Sequence, residues 1–300
     1  LGKESLRSIR TIAFQLGRPW DSDFNLTRFE IPWSQLSTLD LQFYQENVHS
    51  LDECFKILSA AKNLTSCTLN ADCRTTFSQD TGKLVLSSLK SLKLIIQGDD
   101  PAGMAESRLL SFLECLSVEN LRAFSLEWLV NRTQGGTGSQ WRGVHSRFAK
   151  FLHSSAASLE DLGLAYLPLQ DDEIIVYMDG LAKLKSLDLK FALASHQPDP
   201  ITENLLQHLT PSNFSLPTSQ RVQQKDAGDC LPELRTLKLQ CSGEYLNEAM
   251  LLSLVEGRAA MKLRAFKLFT LRGLSKDSRY RIGALKDRGF DFSVSTLDVR

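Results

Sequence analysis

The chain has 300 residues, 42% hydrophobic and 23% charged, a balance suited to a folded protein in water. Lysine plus arginine equals aspartate plus glutamate at 35 each, so no basic excess is available for a phosphate backbone and nucleic acid is not an expected partner. No run approaches the roughly 20 apolar residues that cross a bilayer, and Leu1–Arg10 has no signal-peptide core. No membrane association is expected, therefore, and a cytoplasmic or nuclear home is.

Residues 1–25 read as an N-terminal cap or partial repeat, and the absence of an initial methionine leads us to expect an upstream segment. A weak match, Leu26-Phe29-Ile31, then introduces one pattern that recurs along the chain: apolar-x-x-apolar-x-apolar. It appears as Leu36-Leu39-Leu41, and helical spacing follows at Leu51-Cys54-Ile57-Leu58. The hexad returns at Leu64-Cys67-Leu69 and Leu89-Leu92-Leu94, with a helix expected around Leu109-Phe112-Leu113-Leu116. Leu121-Phe124-Leu126 precedes the helical Phe148-Phe151-Leu152, and Leu159-Leu162-Leu164 precedes Ile174-Ile175-Met178-Leu181, with Asp171 and Asp172 at its N-terminus. Leu184-Leu187-Leu189 leads to Leu205-Leu206-Leu209, then Leu234-Leu237-Leu239 to Met250-Leu251-Leu254-Val255. Leu263-Phe266-Leu268 and the helical Ile282-Leu285 close the series, with a weak match at Leu297 and Val299.

The last two apolar residues of each hexad lie two apart, so in a strand they share a side. The first lies where the chain turns into the strand. Eight such units in one chain predict an α/β fold, an irregular leucine-rich-repeat solenoid or horseshoe, with parallel strands on the concave side and helices on the convex side. The repeats run from 26 to 274 within a single domain, and 275–300 form a C-terminal cap. Successive first leucines are 28, 25, 32, 38, 25, 50 and 29 residues apart, against roughly 20–29 in regular repeats. The excess falls in polar stretches at about 97–106, 131–144 and 210–230, expected as inserted loops.

Several segments resemble the fungal, basidiomycete-type F-box proteins with degenerate leucine-rich repeats. They are Ile31-Pro32-Trp33-Ser34-Gln35-Leu36, Phe151-Leu152-His153-Ser154-Ser155 leading to Leu159-Glu160-Asp161-Leu162, Leu231-Pro232-Glu233-Leu234-Arg235-Thr236-Leu237, and Leu254-Val255-Glu256-Gly257-Arg258. The resemblance implies the target-recognition part of an SCF-type ubiquitin-ligase receptor, in which an F-box grips the ligase adaptor and the repeats grip a protein target. No F-box helical segment is recognisable before Leu26, so adaptor-binding residues do not carry over. The other reading is a regulator or scaffold without ubiquitin chemistry, such as a horseshoe that blocks an active site or stimulates a GTPase.

Enzyme chemistry finds no footing. Cys54, Cys67, Cys73, Cys115, Cys230 and Cys241 form no CxxC pair, and His49, His145, His153, His196 and His208 form no ligand spacing. Buried free thiols, no metal, no cofactor and no catalytic residues are expected. Gly135-Gly136-Thr137-Gly138 lacks a following Gly-Lys-Ser/Thr and reads as a loop. The sequons at Asn25, Asn63, Asn131 and Asn213 read as chance.

What remains is the face presented by strand residues that alternate with the buried leucines. Along it we expect Thr38, Asp40, Gln42, Thr68 and Asn70, then Ser91, Lys93, Ser125 and Glu127. Gly163, Ala165, Asp188, Lys190, Lys238, Gln240, Lys267 and Phe269 follow. The candidate protein-binding residues are Lys93, Glu127, Asp188, Lys190, Lys238, Gln240, Lys267 and Phe269. Lys190, Lys238 and Lys267 fall on three successive repeats and are expected to stack into a weakly basic column beside Asp188.

Overall fold

Each of the eight hexads forms a strand that begins two residues after its first apolar residue. All the apolar side chains of the hexads are between 0 and 2% exposed. A computed structural model describes residues 9–16, 31–43, 48–78, 82–131, 141–191, 199–212 and 230–296. The chain forms two compact units, Leu1–Ser158 and Leu159–Arg300.

In the first unit the main strands lie side by side as β1 (Thr11–Leu16), β2 (Thr38–Phe43), β4 (Ser66–Asp72), β6 (Ser91–Asp99) and β8 (Ala123–Asn131), each pair parallel. Two-residue strands supplement them: β3 (His49–Ser50) pairs with the end of β4, and β5 (Leu84–Val85) pairs with β7 (Leu116–Ser117). The helices are α1 (Leu51–Ala60), α2 (Ala105–Glu114) and α3 (Trp141–Ser154). Aromatic rings join strand to helix: Phe124 of β8 lies 5.2 Å from Phe151 of α3, and Trp128 lies 5.7 Å from Trp141. These edge-on contacts add to the burial of large rings.

In the second unit the order is β9 (Asp161–Ala165), β10 (Ser186–Lys190), β11 (Thr236–Cys241), β12 (Ala265–Thr270) and β13 (Asp291–Thr296), again all parallel. The helices are α4 (Asp171–Met178), α5 (Glu203–Leu209), α6 (Glu248–Ala260) and α7 (Lys276–Lys286). All seven expected helices are present among the described residues, and Asp171 and Asp172 do open α4.

A main-chain rail ties successive hexads within each unit. The carbonyl of the second hexad residue accepts two N–H groups from the next hexad. Ser37 takes those of Thr65 and Ser66 at 2.8 and 3.1 Å, and Thr65 takes those of Lys90 and Ser91. Glu160, Lys185 and Arg235 do the same for the hexads that follow them in the second unit.

The helix starts of the second unit form another chain of contacts. Asp171, first residue of α4, accepts a 2.6 Å hydrogen bond from the hydroxyl of Thr202, the cap of α5. Glu203, first in α5, accepts one of 3.0 Å from Asn247, the cap of α6. Glu248, first in α6, accepts one of 2.6 Å from Ser275, the cap of α7. Each cap side chain also accepts an N–H of its own helix, from Leu205, Met250 and Ser278 respectively, as orphan donors at helix starts require.

A buried arginine spans the segment that separates α5 from β11. Arg258 of α6 is 1% exposed; its guanidinium donates to the carbonyls of Leu209 at 2.7 Å, Leu231 at 2.9 Å and Cys230 at 2.5 Å. Leu231 has a positive φ of 50°, a strained value for a branched residue, and the Arg258 bond holds its carbonyl.

Several boundaries differ from the expected ones. Gln97–Asp99, assigned to a loop, prolong β6 and pair with Leu129–Asn131, while Ala105 and Glu106 open α2. Glycine permits this: Gly98 has φ 117°, and a Cβ there would sit 2.7 Å from Asp72 Oδ1. The turn between is stabilised by Asp100, whose carboxylate accepts the N–H groups of Met104 and Ala105 at 3.0 Å each. Trp141–Val144, also expected as loop, belong to α3 because Trp141 is fully buried. A strand at Thr11–Leu16 lies inside the expected cap, where Ile12 and Phe14 supply the alternation. The last strand ends at Thr296. Leu26, Phe29, Leu297, Val299, the Gly135–Gly138 run, His196, and the sequons at Asn25 and Asn213 lie outside the described residues, as do 132–140 and 213–229 of the expected loops.

Candidate binding face of the parallel strands

Strand residues between the buried leucines point to the opposite side of the sheet, and lateral register decides which of them become neighbours. In the second unit one row runs Gly163, Asp188, Lys238, Lys267, Ser293. The next row, two residues further along each strand, runs Ala165, Lys190, Gln240, Phe269, Ser295. Six of the eight candidate residues thus lie together in two adjacent rows of one unit. Ala165, at one end, is buried.

This register corrects the expected lysine column. Lys238 and Lys267 are direct neighbours, but Lys190 stands opposite Gln240 in the other row. Its hexad continues one residue beyond the last leucine to reach it, whereas Lys238 and Lys267 are fifth in theirs. The charges are also interleaved. Asp188 Oδ2 lies 3.7 Å from both Lys190 Nζ and Lys238 Nζ, and Lys267 Nζ lies 3.7 Å from Asp291 Oδ2. The three lysine side chains are 39–46% exposed, so these pairs fix charge pattern more than stability.

The first unit carries the other two candidates. Its upper row runs Ala13, Asp40, Thr68, Lys93, Ser125, and the next runs Asn70, Ile95, Glu127. Lys93 Nζ reaches across to Glu127 Oε2 at 3.7 Å. Asn70, expected on the open face, is instead 1% exposed and Ile95 3%. Alternation stops there because the end of β4 is flanked by β3, and Asn70, Ala71 and Asp72 are all buried. Asn70 Nδ2 donates to Gln97 Oε1 at 3.4 Å, and Asp72 binds the N–H and guanidinium of Arg74.

Four of the six thiols, Cys54, Cys67, Cys73 and Cys241, are buried as packing groups, whereas Cys115 and Cys230 are half-exposed. Burial raises the pKa of Cys54 and Cys67 far above the ordinary range, and nearby carboxylates add to the effect. Burial, with Asp72 beside it, pushes Cys73 up to about 12; burial, with Asp199, pushes Cys241 up to about 12. A thiol so disposed is a poor nucleophile. His49 has its pKa lowered by burial, against the opposing pull of Glu53. Among the described residues no three of His, Cys, Asp and Glu gather as a metal site would require, and no helix is long and apolar enough to cross a membrane. Asn63, in one of the sequons, donates its amide to Ser34 O at 2.7 Å.

Sequence reasoning passed over Ser293 and Ser295, which extend both rows across β13, and Asp291, which stands in register with Ala265 and meets Lys267 from beside the rows. Phe292, buried at 3% and 5.9 Å from Phe266, was the available signal. No family model matches the chain, and no curated protein matches it.

Proposed function

We propose that the chain is a leucine-rich-repeat solenoid that binds another protein through the strand face opposite its helices, and that it catalyses no reaction. One observation carries this reading: the two in-register rows that run from Gly163 and Ala165 to Ser293 and Ser295. Side chains on paired strands are held about 4.8 Å apart by the backbone, so a partner meets groups already ordered and little entropy is lost on docking. The mixture of lysine, aspartate, glutamine and phenylalanine suits a protein surface. It lacks the uniform positive charge that nucleic acid would favour.

The resemblance of Ile31–Leu36, Phe151–Leu162 and Leu231–Leu237 to F-box repeat proteins makes the bound protein a target for ubiquitin transfer. The chain would then be the target-recognition part of an SCF-type receptor, working in cytoplasm or nucleus. The alternative is a regulator or scaffold that uses the same face without a ligase. Purification of the tagged protein from its native cells, followed by mass spectrometry, separates the two. Co-purification of the ligase adaptor supports the receptor reading. A captured enzyme whose activity the chain alters, without adaptor, supports the regulator. Capture that is indifferent to Lys238→Glu with Lys267→Glu removes the strand face from either.

A further inference from the structure

A second surface lies on the helix side of the second unit, between α6 and α7. Small residues line the walls, with Ala259 and Ala260 on α6 and Ala284 on α7, and they leave a groove of about 460 Å³. That volume is within the range of pockets that hold a ligand-sized group. Leu285 and Phe290 supply apolar floor, and Tyr280 stands at the edge with 78% of its surface exposed.

The charges around the groove are unequal. Arg281 is already engaged by Glu256 through a bidentate pair at 2.7 and 2.8 Å. Arg264 lies over the Phe290 ring at 5.7 Å. Arg288, at the lip, has no side-chain ion pair among the described residues. The setting reinforces it: α7, which forms one wall, holds four lysines and arginines against one aspartate, although the whole chain is neutral.

We propose that this groove docks a short acidic peptide segment of a partner protein. One bulky apolar side chain of the segment lies over Ala284 and Leu285 against Tyr280, and its carboxylates meet Arg288. An apolar anchor in a pocket with charge complementarity at the rim is the arrangement that gives peptide docking both affinity and orientation. This surface is independent of the strand face, so either proposal can fail alone.

The test is fluorescence anisotropy with the full chain and a fluorescein-labelled peptide in which Asp and Glu are interspersed with Leu and Phe. A control peptide carries Asn and Gln in place of the acids. Saturable binding is expected for the acidic peptide and roughly tenfold weaker binding for the control. Arg288→Glu, which removes the charge, and Ala284→Trp, which fills the groove, should each weaken acidic-peptide binding by a similar factor without moving the thermal midpoint. Lys238→Glu with Lys267→Glu should leave it unchanged. Equal binding of both peptides, or wild-type binding by both groove variants, would overturn the proposal. So would full displacement of the peptide by polyuridine RNA, or a dimer seen in sedimentation that excludes the peptide.

Discussion

Asp188 stands directly across from Lys238 on the neighbouring parallel strand, and its carboxylate is shared with Lys190 of its own strand. The aspartate therefore sets which lysine charge a partner meets unmasked. Lys238→Glu with Lys267→Glu should weaken partner capture at least roughly tenfold, about 1.4 kcal/mol, with an unchanged thermal midpoint. Charge reversal at Lys56 and Lys150, exposed on α1 and α3, should do little. The opposite result, read by the same capture assay, would move the binding face to the helices.

Neighbouring positions on β10 should differ sharply in stability. Leu187 is fully buried, so Leu187→Ala should cost about 2–5 kcal/mol in urea unfolding through the cavity it leaves. Asp188→Ala, one residue along and tied only by solvent-facing pairs, should change stability by less than about 0.5 kcal/mol. Comparable losses at both sites would contradict the strand register.

Removing the Arg258 side chain leaves the carbonyls of Leu209, Cys230 and Leu231 without its donors. Arg258→Met keeps the volume and should still cost about 3–5 kcal/mol, in the manner of a broken buried polar network. Arg258→Lys should recover only part of this, because one ammonium cannot reproduce the planar fork. Equilibrium unfolding of the three proteins decides the point.

The linked helix starts should make the second unit acid-sensitive. Burial pushes the Glu248 carboxyl up, but hydrogen bonds from Ser275 and Ser278 outweigh it and hold the pKa below its ordinary value; for Asp171 the bonds from Thr202 and Asn204 outweigh burial in the same way. A carboxyl whose folded pKa is lowered contributes stability above its unfolded pKa and loses it as pH falls through the folded one. Urea midpoints should therefore decline as pH falls below the ordinary carboxylate range, about 4. Glu248→Gln should flatten that decline. An unchanged slope would mean that the helix-start bonds contribute nothing in solution.

Native alkylation near neutral pH should be selective. Cys115 and Cys230 are half-exposed and should label first; Cys54, Cys67, Cys73 and Cys241 are buried and should label only on unfolding. Peptide mapping by mass spectrometry reads the order directly.

The hexads were legible because a spacing of three and then two is imposed by the turn into a strand, and Leu184-Leu187-Leu189 shows it as plainly as any. The helices were legible because their apolar residues recur at helical spacing. Lateral alignment was harder. Lys190 and Lys238 share a repeat pattern, but they differ in hexad position, and position decides the row. Arg258 falls three and four residues beyond Val255 and Leu254, on the apolar face of α6; that placement was the only sign of its burial. The α6–α7 groove depends on which small residues two separate helices bring together, and no local pattern encodes it.

The rail of shared carbonyls has a consequence for how such a chain can change over generations. Its bonds run from backbone to backbone, so the side chains of Lys90 and Arg235 take no part in it, while the hydroxyls of Ser37 and Thr65 only add a bond to the carbonyls of Arg10 and Ser37. Those sites can drift among almost all residue types while the stacking of strands persists. Proline is the exception: at residues 65, 90, 185 or 235 it would delete a rail donor. Surface identity is thereby free to diversify toward new partners on an unchanged frame, and the leucines are left to guard the frame itself.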